Sequence, residues 1–342
     1  MELRTDVFVS GTLGYHTFRI PSLVATRSGE LLAFAEGRRL SVSDTGVIEI
    51  VLRRSADGGA TWGPLEVVVA EAETTCGNAT PVVTPAGEIL LPFCKNRRDG
   101  PERLIFEGKA PRTAWLTRSA DEGRTWAPPV DITPSVNRPS WSWFAFGPGH
   151  GVVLQSGRIV VPSVHAEMVT RTHDDPCRTH LTLSDDGGRT FRVGAVLDVP
   201  RSSENEVAEI APGVLHVNAR IEEEGAGRVS AWSTDGGETF SEWRLDASLP
   251  DPMCQGSLAG GLGGDPQRLA LVHATGTKRE RLTLRTSRDG GRTFQEALVI
   301  EPGRAAYSDV ALTGGHTLHV LHERGERHAY ERITLARVRI PA

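Results

Sequence analysis

Short runs in which apolar and polar residues alternate recur along the chain, and five of them lead into nearly the same box of residues. The runs are IEIVLRR, TAWLTR, THLTL, RVSAW and RLTLRT, and the boxes are SADGGATW, SADEGRTW, SDDGGRTF, STDGGETF and SRDGGRTF. Alternation predicts strands with one buried face. Asp-x-Gly after a strand predicts a hairpin turn, because glycine tolerates positive φ. We therefore predict five hairpins whose Ser, Asp and Thr side chains bond the local backbone.

A second repeat consists of six apolar segments that each follow a turn. They are GELLAFAEGR, GEILLPFCKNR, GRIVVPSVH, GVLHVNAR, QRLALVHATG and HTLHVLHERG. Each follows another short strand, which indicates six units of about four strands, the composition of a six-bladed β-propeller. We predict an all-β chain with residues 1–342 in one domain. The N-terminal run ELRTDVFVS is predicted to close the sixth unit, since the chain ends after ERITLARVRI.

This architecture predicts a common basin built from residues far apart in the sequence. The first strand of each propeller blade lines the central channel, so equivalent strand ends lie on one face. The polar residues predicted at those ends are Arg19, Glu36, Arg38, Asn78, Glu204, Arg220, Gln255, Tyr307 and Glu323.

Arg19 raises a specific question, because it stands in the apolar stretch TFRIPSL. A guanidinium stays protonated, and burying it without a partner is costly. The sequence therefore predicts either a protein carboxylate or a bound anion beside Arg19.

Composition narrows the classes of partner. The net charge of −5 gives no reason to expect nucleic acid, and no apolar run is long enough for a membrane span. The N-terminal residues show no signal peptide, so a cytoplasmic monomer is expected, or a secreted one if the start has been processed. Cysteines lack CxxC spacing, which favours free buried thiols over a metal site. They are Cys76, Cys94, Cys177 and Cys254.

Several motifs together resemble the bacterial exo-α-sialidase family. They are FRIP, the five boxes, AEGRRLSVSDTG, SENEVAEI with VNAR, and AYSD, and the resemblance runs from Phe8 to Arg337. It implies a retaining glycoside hydrolase that acts on a sialylated oligosaccharide or glycoconjugate. It also implies that neither a metal nor an organic cofactor takes part.

The resemblance implies three arginines that bind the carboxylate of a sialic acid. Arg19 and Arg220 are the first two. Arg279 is the expected third, although Arg281 and Arg285 lie close by in the sequence. Planar guanidinium groups suit this task because they bind a carboxylate through two parallel hydrogen bonds. The resemblance also implies that Glu323 holds Arg19; without the other motifs, that pair could equally be a structural bridge.

The resemblance further implies which residues carry the chemistry. Tyr307 is expected to be the nucleophile, and Glu204 to accept its proton. Glu206 and Glu209 are nearby alternatives for that base. Asp44, on a loop after the second strand, is expected to be the general acid and base.

Other residues are expected to contact the sugar. Arg38 is expected on its O4 side with Glu36 supporting the arginines, while Asn78 and Gln255 are expected at inner-strand openings. The aromatic residues of the segment NRPSWSWFAFGPGHG are either the wall of the pocket or packing of the third unit, packing being expected for at least two. They are Trp141, Trp143, Phe144 and Phe146.

Three alternatives remain open from the sequence. One is a sialidase-like enzyme that prefers deaminated neuraminic acid (Kdn). A second is a sialic-acid-binding propeller without activity, although it would not need Asp44, Glu204 and Tyr307 together. The third is a glycosidase of neutral sugars, which would have no use for three arginines. Linkage preference, and hydrolysis against transfer, stay open as well.

Overall fold

The computed structural model describes residues 2–172 and 174–340. In these two ranges, helix is limited to α1 (Glu102–Phe106), α2 (Thr133–Val136) and a 3-10 turn at Leu262–Gly264. Within the described ranges, no helix has the length and apolar character needed to cross a membrane.

The remaining regular structure is β-strand. The strands of the first half are β1 (Leu3–Val9), β2 (Thr17–Ala25), β3 (Leu31–Arg38), β4 (Ile48–Ser55), β5 (Glu66–Val69), β6 (Thr74–Gly77), β7 (Val82–Val83), β8 (Ile89–Arg97), β9 (Arg112–Ser119), β10 (Val130–Asp131), β11 (Trp141–Phe146), β12 (Val152–Val153) and β13 (Ile159–Glu167). Those of the second half are β14 (Cys177–Ser184), β15 (Arg192–Val196), β16 (Ser202–Ala211), β17 (Val214–Ile221), β18 (Arg228–Ser233), β19 (Glu242–Asp246), β20 (Ser257–Gly260), β21 (Leu269–Ala274), β22 (Glu280–Ser287), β23 (Gln295–Thr313), β24 (Thr317–Gly325) and β25 (Arg332–Arg339).

These strands form four hydrogen-bonded sheets in the described part of the chain. One sheet has the order β1-β25-β24-β23-β22-β21-β20. A second has the order β10-β9-β8-β6-β4-β3-β2, with β5 on β4 and β7 on β8. The third runs β11-β13-β14-β15, with β12 on β13, and the fourth runs β16-β17-β18-β19. Leu3 of β1 faces Arg337 of β25, so the N-terminal strand pairs with the last strand as predicted.

Four sheets appear where six units were predicted, because neighbouring units share hydrogen bonds. Ile48 of β4 pairs in parallel with Thr75 of β6 and joins the first two units. The long strand β23 pairs with β22 in its first half and with β24 in its second. The chain is therefore all-β, and the number of blades remains a prediction.

The apolar core lies between neighbouring sheets. One cluster brings Phe18 and Leu23 of β2 against Leu321 of β24 and Leu335 of β25. Eight of the nine residues of β2 are buried, including Arg19 and Ser22, so even its polar side chains are enclosed by the neighbouring sheets. The four cysteines are buried free thiols, as the sequence indicates.

The five boxes that contain Asp-x-Gly, which we call the Asp boxes, form tight turns that are held by their own side chains. Asp57 accepts hydrogen bonds from the Ser55 hydroxyl (2.8 Å), the Thr61 amide (2.9 Å) and the Thr61 hydroxyl (2.6 Å). The Ser55 oxygen accepts one from the Gly59 amide at 2.8 Å. This set recurs around the corresponding aspartates Asp121, Asp186, Asp235 and Asp289.

These turns predict a loss of stability in acid. Hydrogen bonds from the Thr61 hydroxyl and amide lower the pKa of Asp57 to about 2, against about 3.9 in an unfolded chain. The folded state therefore gains stability from the ionised carboxylate above about pH 4 and loses it as the pH falls towards 2. Asp57→Asn is expected to lower Tm by roughly 2–4 °C near neutral pH. This difference from wild type should shrink below about pH 4.

Thermal unfolding of wild type and Asp57→Asn between about pH 2.5 and pH 6 measures the difference in Tm and its dependence on pH. Glu224→Gln is the matched control, because it removes an exposed carboxylate outside the boxes. A Tm difference for Asp57→Asn that stays constant across this range would contradict an electrostatic contribution from the box.

Among the β-bulges of the described strands, we call four the cavity bulges, one each on β2, β11, β16 and β23. At each bulge two residues face one residue on the neighbouring strand, which re-aims a side chain. The pairs are Ile20–Pro21 opposite Ala35, Ser142–Trp143 opposite Ala166, Ser203–Glu204 opposite Arg220, and Ala306–Tyr307 opposite Glu323.

Candidate active site

A cavity of about 430 Å³ opens beside the cavity bulges. Each bulge contributes at least one residue to its lining, namely Ile20, Trp143, Ser203 with Glu204, and Tyr307. Residues from distant parts of the sequence thus meet in one place, as the propeller argument predicts. The other predicted residues in the lining are Arg19, Glu36, Arg38, Asp44, Asn78, Arg220 and Arg279.

Tyr307, Glu204 and Arg220 form a connected group in this lining. The Tyr307 hydroxyl lies 2.7 Å from both carboxylate oxygens of Glu204. Arg220 donates through one nitrogen to Glu204 at 2.7 Å and to the Tyr307 oxygen at 3.1 Å. Glu209 instead accepts the amides of Gln155 and Gly213, so it is not the partner of Tyr307.

The phenol of Tyr307 is held in its neutral form. Burial raises its pKa well above the ordinary value, and the charge of Glu204 raises it further. The guanidinium groups of Arg220, Arg279 and Arg19 oppose this rise. The phenol therefore keeps its proton until a reaction draws electrons from its oxygen, and Glu204 stands in place to receive that proton.

Arg19 has the carboxylate partner that its apolar surroundings require. Its Nε and one terminal nitrogen donate to the two oxygens of Glu323 at 3.0 and 3.2 Å. Glu323 has no exposed surface and also accepts the amides of Ile20 and Tyr307, at 2.9 and 3.1 Å. Burial alone would lower the pKa of Arg19, but Glu323 raises it above its ordinary value. Glu323 thus bonds both to Arg19 and to the backbone of two cavity bulges, at Ile20 and Tyr307.

Asp44 lies at the rim, and 58% of its side chain is exposed. Its carboxylate is 2.7 Å from Arg38 and 3.6 Å from Arg19. Partial burial would raise the pKa of Asp44, but Arg38 and then Arg19 lower it below its ordinary value. Arg38 is itself fixed by Glu36, two residues earlier on the same side of β3, at 2.6 Å.

Arg279, the expected third member of the predicted set with Arg19 and Arg220, also lines the cavity. It donates to the Tyr330 hydroxyl and to the Met253 carbonyl, both at 3.0 Å. Neither Arg281 nor Arg285 is in the lining, and Arg281 pairs with Glu296 instead. The structure therefore favours Arg279 among the three candidates.

Sequence reasoning missed Arg112 and Tyr330. Arg112 lines the cavity and donates to the Asn78 side chain at 2.7 Å and to the Asn96 side chain at 2.9 Å. The ring of Tyr330 lies under the guanidinium of Arg19, 4.0 Å from its centroid. Arg112 opens a strand without a motif, so nothing marked it. One feature of the sequence could have drawn attention to Tyr330, because the chain contains only three tyrosines.

Gln255, whose contact with the sugar is predicted from the sequence, is not brought into the cavity lining. Gln255 is buried outside the cavity lining, where it donates to the Pro148 carbonyl and accepts the Ser308 amide, both at 3.1 Å. Its side-chain amide joins the backbone at Pro148 to strand β23. Asn78, in contrast, is in the lining, and its backbone amide donates a hydrogen bond to Glu36 at 3.0 Å.

The aromatic segment divides between the two interpretations. Trp143 lines the cavity, while Trp141 stacks on the buried His165 with a centroid distance of 3.5 Å. Phe144 and Phe146 belong to the core of the third sheet. Packing was predicted for at least two of the four aromatic residues, and the structure places three of them there.

Comparison with known proteins assigns the family. Residues 29–320 match the family described as BNR repeat-like domain. An exo-alpha-sialidase of Aspergillus fumigatus is 32% identical over 92% of this chain and 80% of its own length. The chain belongs to the sialidase family of glycoside hydrolases. A sialidase of Micromonospora viridifaciens is 31% identical over 97% of the chain, which spans 53% of that relative.

Solved structures of the sialidase family resemble the chain as well. A Hadza microbial sialidase superposes with a TM-score of 0.83 at 26% identity, covering 96% of this chain and 67% of that one. The agreement extends over nearly all of the described sheets, so the relation is not limited to the repeated Asp boxes.

Proposed function

We propose that this chain is an exo-α-sialidase that removes terminal α-linked sialic acids with retention of configuration. The observation that carries the proposal is the Tyr307 hydroxyl, 2.7 Å from both oxygens of Glu204 in a cavity that Arg19, Arg220 and Arg279 also line. The sialidase relatives support the same activity. The expected substrate is a sialylated oligosaccharide or glycoconjugate.

The arginines suit a substrate that carries a carboxylate on its reacting carbon. Arg19 uses two nitrogens on Glu323, which leaves the third directed towards Asp44 and the cavity. Arg220 keeps a buried Nε for which the described residues offer no hydrogen-bond partner. Arg279 donates to two uncharged oxygens, the Tyr330 hydroxyl and the Met253 carbonyl. A substrate carboxylate supplies the negative charge that these groups can still accept.

A phenol is a better nucleophile here than a carboxylate would be. The anomeric carbon of a sialoside bears a carboxylate, which repels an anionic Asp or Glu on the attacking side. Tyr307 is neutral until it reacts, and this distinguishes sialidases from the usual two-carboxylate glycosidases. Glu204 takes the phenolic proton as the oxygen attacks.

In the first step the Tyr307 oxygen bonds to the anomeric carbon while the bond to the leaving oxygen breaks. The phenolic proton passes to Glu204, and Asp44 gives its proton to the leaving oxygen. The bound substrate carboxylate competes with Asp44 for Arg19, so it weakens the interaction that keeps Asp44 ionised. Asp44 is therefore protonated more readily in the complex than in the free protein.

In the second step water replaces the tyrosine. Asp44 accepts a proton from the water, the water oxygen bonds to the anomeric carbon, and the bond to Tyr307 breaks. Glu204 then returns its proton to the phenolate. The two displacements together give retention, and the route needs no metal or organic cofactor.

We also propose that the four sheets are parts of a six-bladed propeller that forms one domain over residues 1–342. Two joins between neighbouring units reduce six groups of strands to four sheets. The cavity bulges recur at one end of four inner strands, which supports a ring of equivalent units.

The proposed activity is tested with fluorogenic α-ketosides of N-acetylneuraminic acid and of its deaminated counterpart. Turnover of at least one is expected, and NMR of the first-formed product should show the α anomer. Comparison of the two substrates also identifies the preferred sugar. Binding of the free sugar without turnover would favour a sialic-acid-binding protein, and neither binding nor turnover would contradict the proposal.

A further inference from the structure

A group of three titratable residues lies outside the cavity lining and has no part in the proposed reaction. His150 Nδ1 lies 2.8 Å from Asp309 Oδ1 and 4.0 Å from Glu206 Oε2. The potential ligand atoms of this group are all within 4.8 Å of one another. Glu206 and Asp309 are fully buried, whereas 15% of the His150 side chain is exposed.

Glu206 is the unusual member of the group. Neither of its carboxylate oxygens has a hydrogen-bond partner, although the His150 backbone and the Gln255 amide approach them outside normal hydrogen-bond geometry. Gly149 packs so closely that a Cβ there would lie 1.5 Å from Glu206 Oε1. A buried carboxylate without a partner is costly, so a ligand that satisfies its oxygens stabilises the folded protein.

Asp309 differs because backbone groups already fix its orientation. Its oxygens accept hydrogen bonds from the backbone amide of Leu23 at 2.7 Å and from that of the neighbouring Val310 at 2.8 Å. Such bonds hold a carboxylate rigidly while leaving a lone pair for a further ligand. Asp309 and Glu206 thus present one fixed and one unsatisfied carboxylate to the same imidazole.

The donor set identifies the class of ligand. One imidazole nitrogen and two carboxylate oxygens suit a divalent transition ion such as Zn²⁺, which binds these atoms at about 2.0–2.2 Å. Calcium and magnesium prefer six or more oxygen ligands, which this group does not offer. Ligand atoms of a tetrahedral zinc ion lie roughly 3.4 Å apart. Binding therefore requires the 2.8 Å distance between His150 and Asp309 to widen and the 4.0 Å distance between His150 and Glu206 to shorten, each by about 0.6 Å.

We propose that His150, Glu206 and Asp309 bind a divalent transition metal ion between the inner strands. His150 also lines a second cavity, of about 380 Å³, which provides an entry path for the ion. Glu206 and Asp309 follow Glu204 and Tyr307 by two residues on β16 and β23. The ion therefore links the two strands that carry the nucleophile and its base, and its role is structural.

The test is a calorimetric titration of zinc into the full chain after dialysis against a chelator. One equivalent is expected to bind, and Glu206→Gln should weaken this binding at least tenfold. Saturating zinc should raise the Tm of the wild type because the ion binds the folded state, and this rise should be absent in Glu206→Gln.

Glu209→Gln is the matched control, because it removes a carboxylate from the same strand that faces the second cavity. It should bind zinc as the wild type does. If Glu206→Gln does not fold, His150→Gln replaces it with the same expected loss. Absence of zinc binding overturns the proposal. Equal binding in the ligand variants, or an equal loss in Glu209→Gln, overturns it as well.

Discussion

Tyr307→Phe is expected to hydrolyse a fluorogenic sialoside at least about 10³-fold more slowly than the wild type, with binding of free sialic acid retained. The variant lacks only the oxygen that is proposed to bond to the anomeric carbon. The phenylalanine ring keeps its packing beneath Arg19 and Arg279, whose guanidinium carbons lie 5.2 Å from the ring centroid. The loss should therefore appear in kcat rather than in binding.

Tyr15→Phe provides an unusually close control. Tyr15 is also a buried tyrosine bonded to a glutamate, with its hydroxyl 2.5 Å from Glu49, but it lies outside the cavity lining. Glu49 keeps its ion pair with Arg39 when the Tyr15 hydroxyl is removed. Turnover by Tyr15→Phe should equal that of the wild type.

Covalent labelling separates a nucleophile from a binding residue. A 2,3-difluoro sialic acid should add its sugar mass to the peptide that contains Tyr307 in the wild type and not in Tyr307→Phe. Retained turnover in Tyr307→Phe, or labelling of another residue, would exclude the tyrosyl intermediate and leave the wider family assignment intact.

Asp44→Asn is expected to depend strongly on the leaving group. For a sialyl-galactoside, whose leaving alkoxide needs a proton, kcat/KM should fall by about 10²–10⁴-fold. For a methylumbelliferyl sialoside the fall in kcat/KM should be much smaller, because that leaving group departs without protonation. The ratio kcat/KM covers only the first step, so its comparison between the two substrates measures the contribution of Asp44 as an acid, apart from its role as a base in the second step.

The exposure of Asp44 makes this variant a fair test of chemistry. More than half of its side chain is in solvent, so the amide should not disturb the core. Asp57→Asn, in the first Asp box and outside the cavity, is the control for loss of an aspartate and should leave the ratio of the two rates unchanged. An equal loss on both substrates in Asp44→Asn would instead mean that Asp44 acts by holding Arg38.

The periodicity of the sequence predicted the strands and turns because those features depend on local patterns. Alternating runs and Asp-x-Gly turns report which side of a strand is buried and where the chain reverses. The sharing of hydrogen bonds between units could not be predicted in this way. Whether Ile48 meets Thr75, or β23 continues unbroken, depends on the spatial approach of neighbouring units.

The same distinction between local patterns and spatial contacts applies to the candidate site. Residues within recognisable motifs, such as Arg19 and Tyr307, were predicted to meet and do so in the cavity. Gln255 was expected at the cavity because it stands at a strand opening, but it bonds the Pro148 carbonyl outside the lining, and the sequence does not report how deep such an opening lies. Arg112 was missed because its neighbours in space, Asn78 and Asn96, are distant in sequence.

The cavity bulges separate the chemistry of this protein from its packing. In a regular strand, successive side chains point to opposite faces, so the face on which one side chain lies is fixed by the positions of its neighbours. The extra residue at each bulge removes that constraint, and Ile20 accepts a φ of 55°, rare for a branched side chain, to make the first turn. Substitutions at these positions can therefore alter substrate and reaction while the remaining sequence of each strand stays free to preserve the fold.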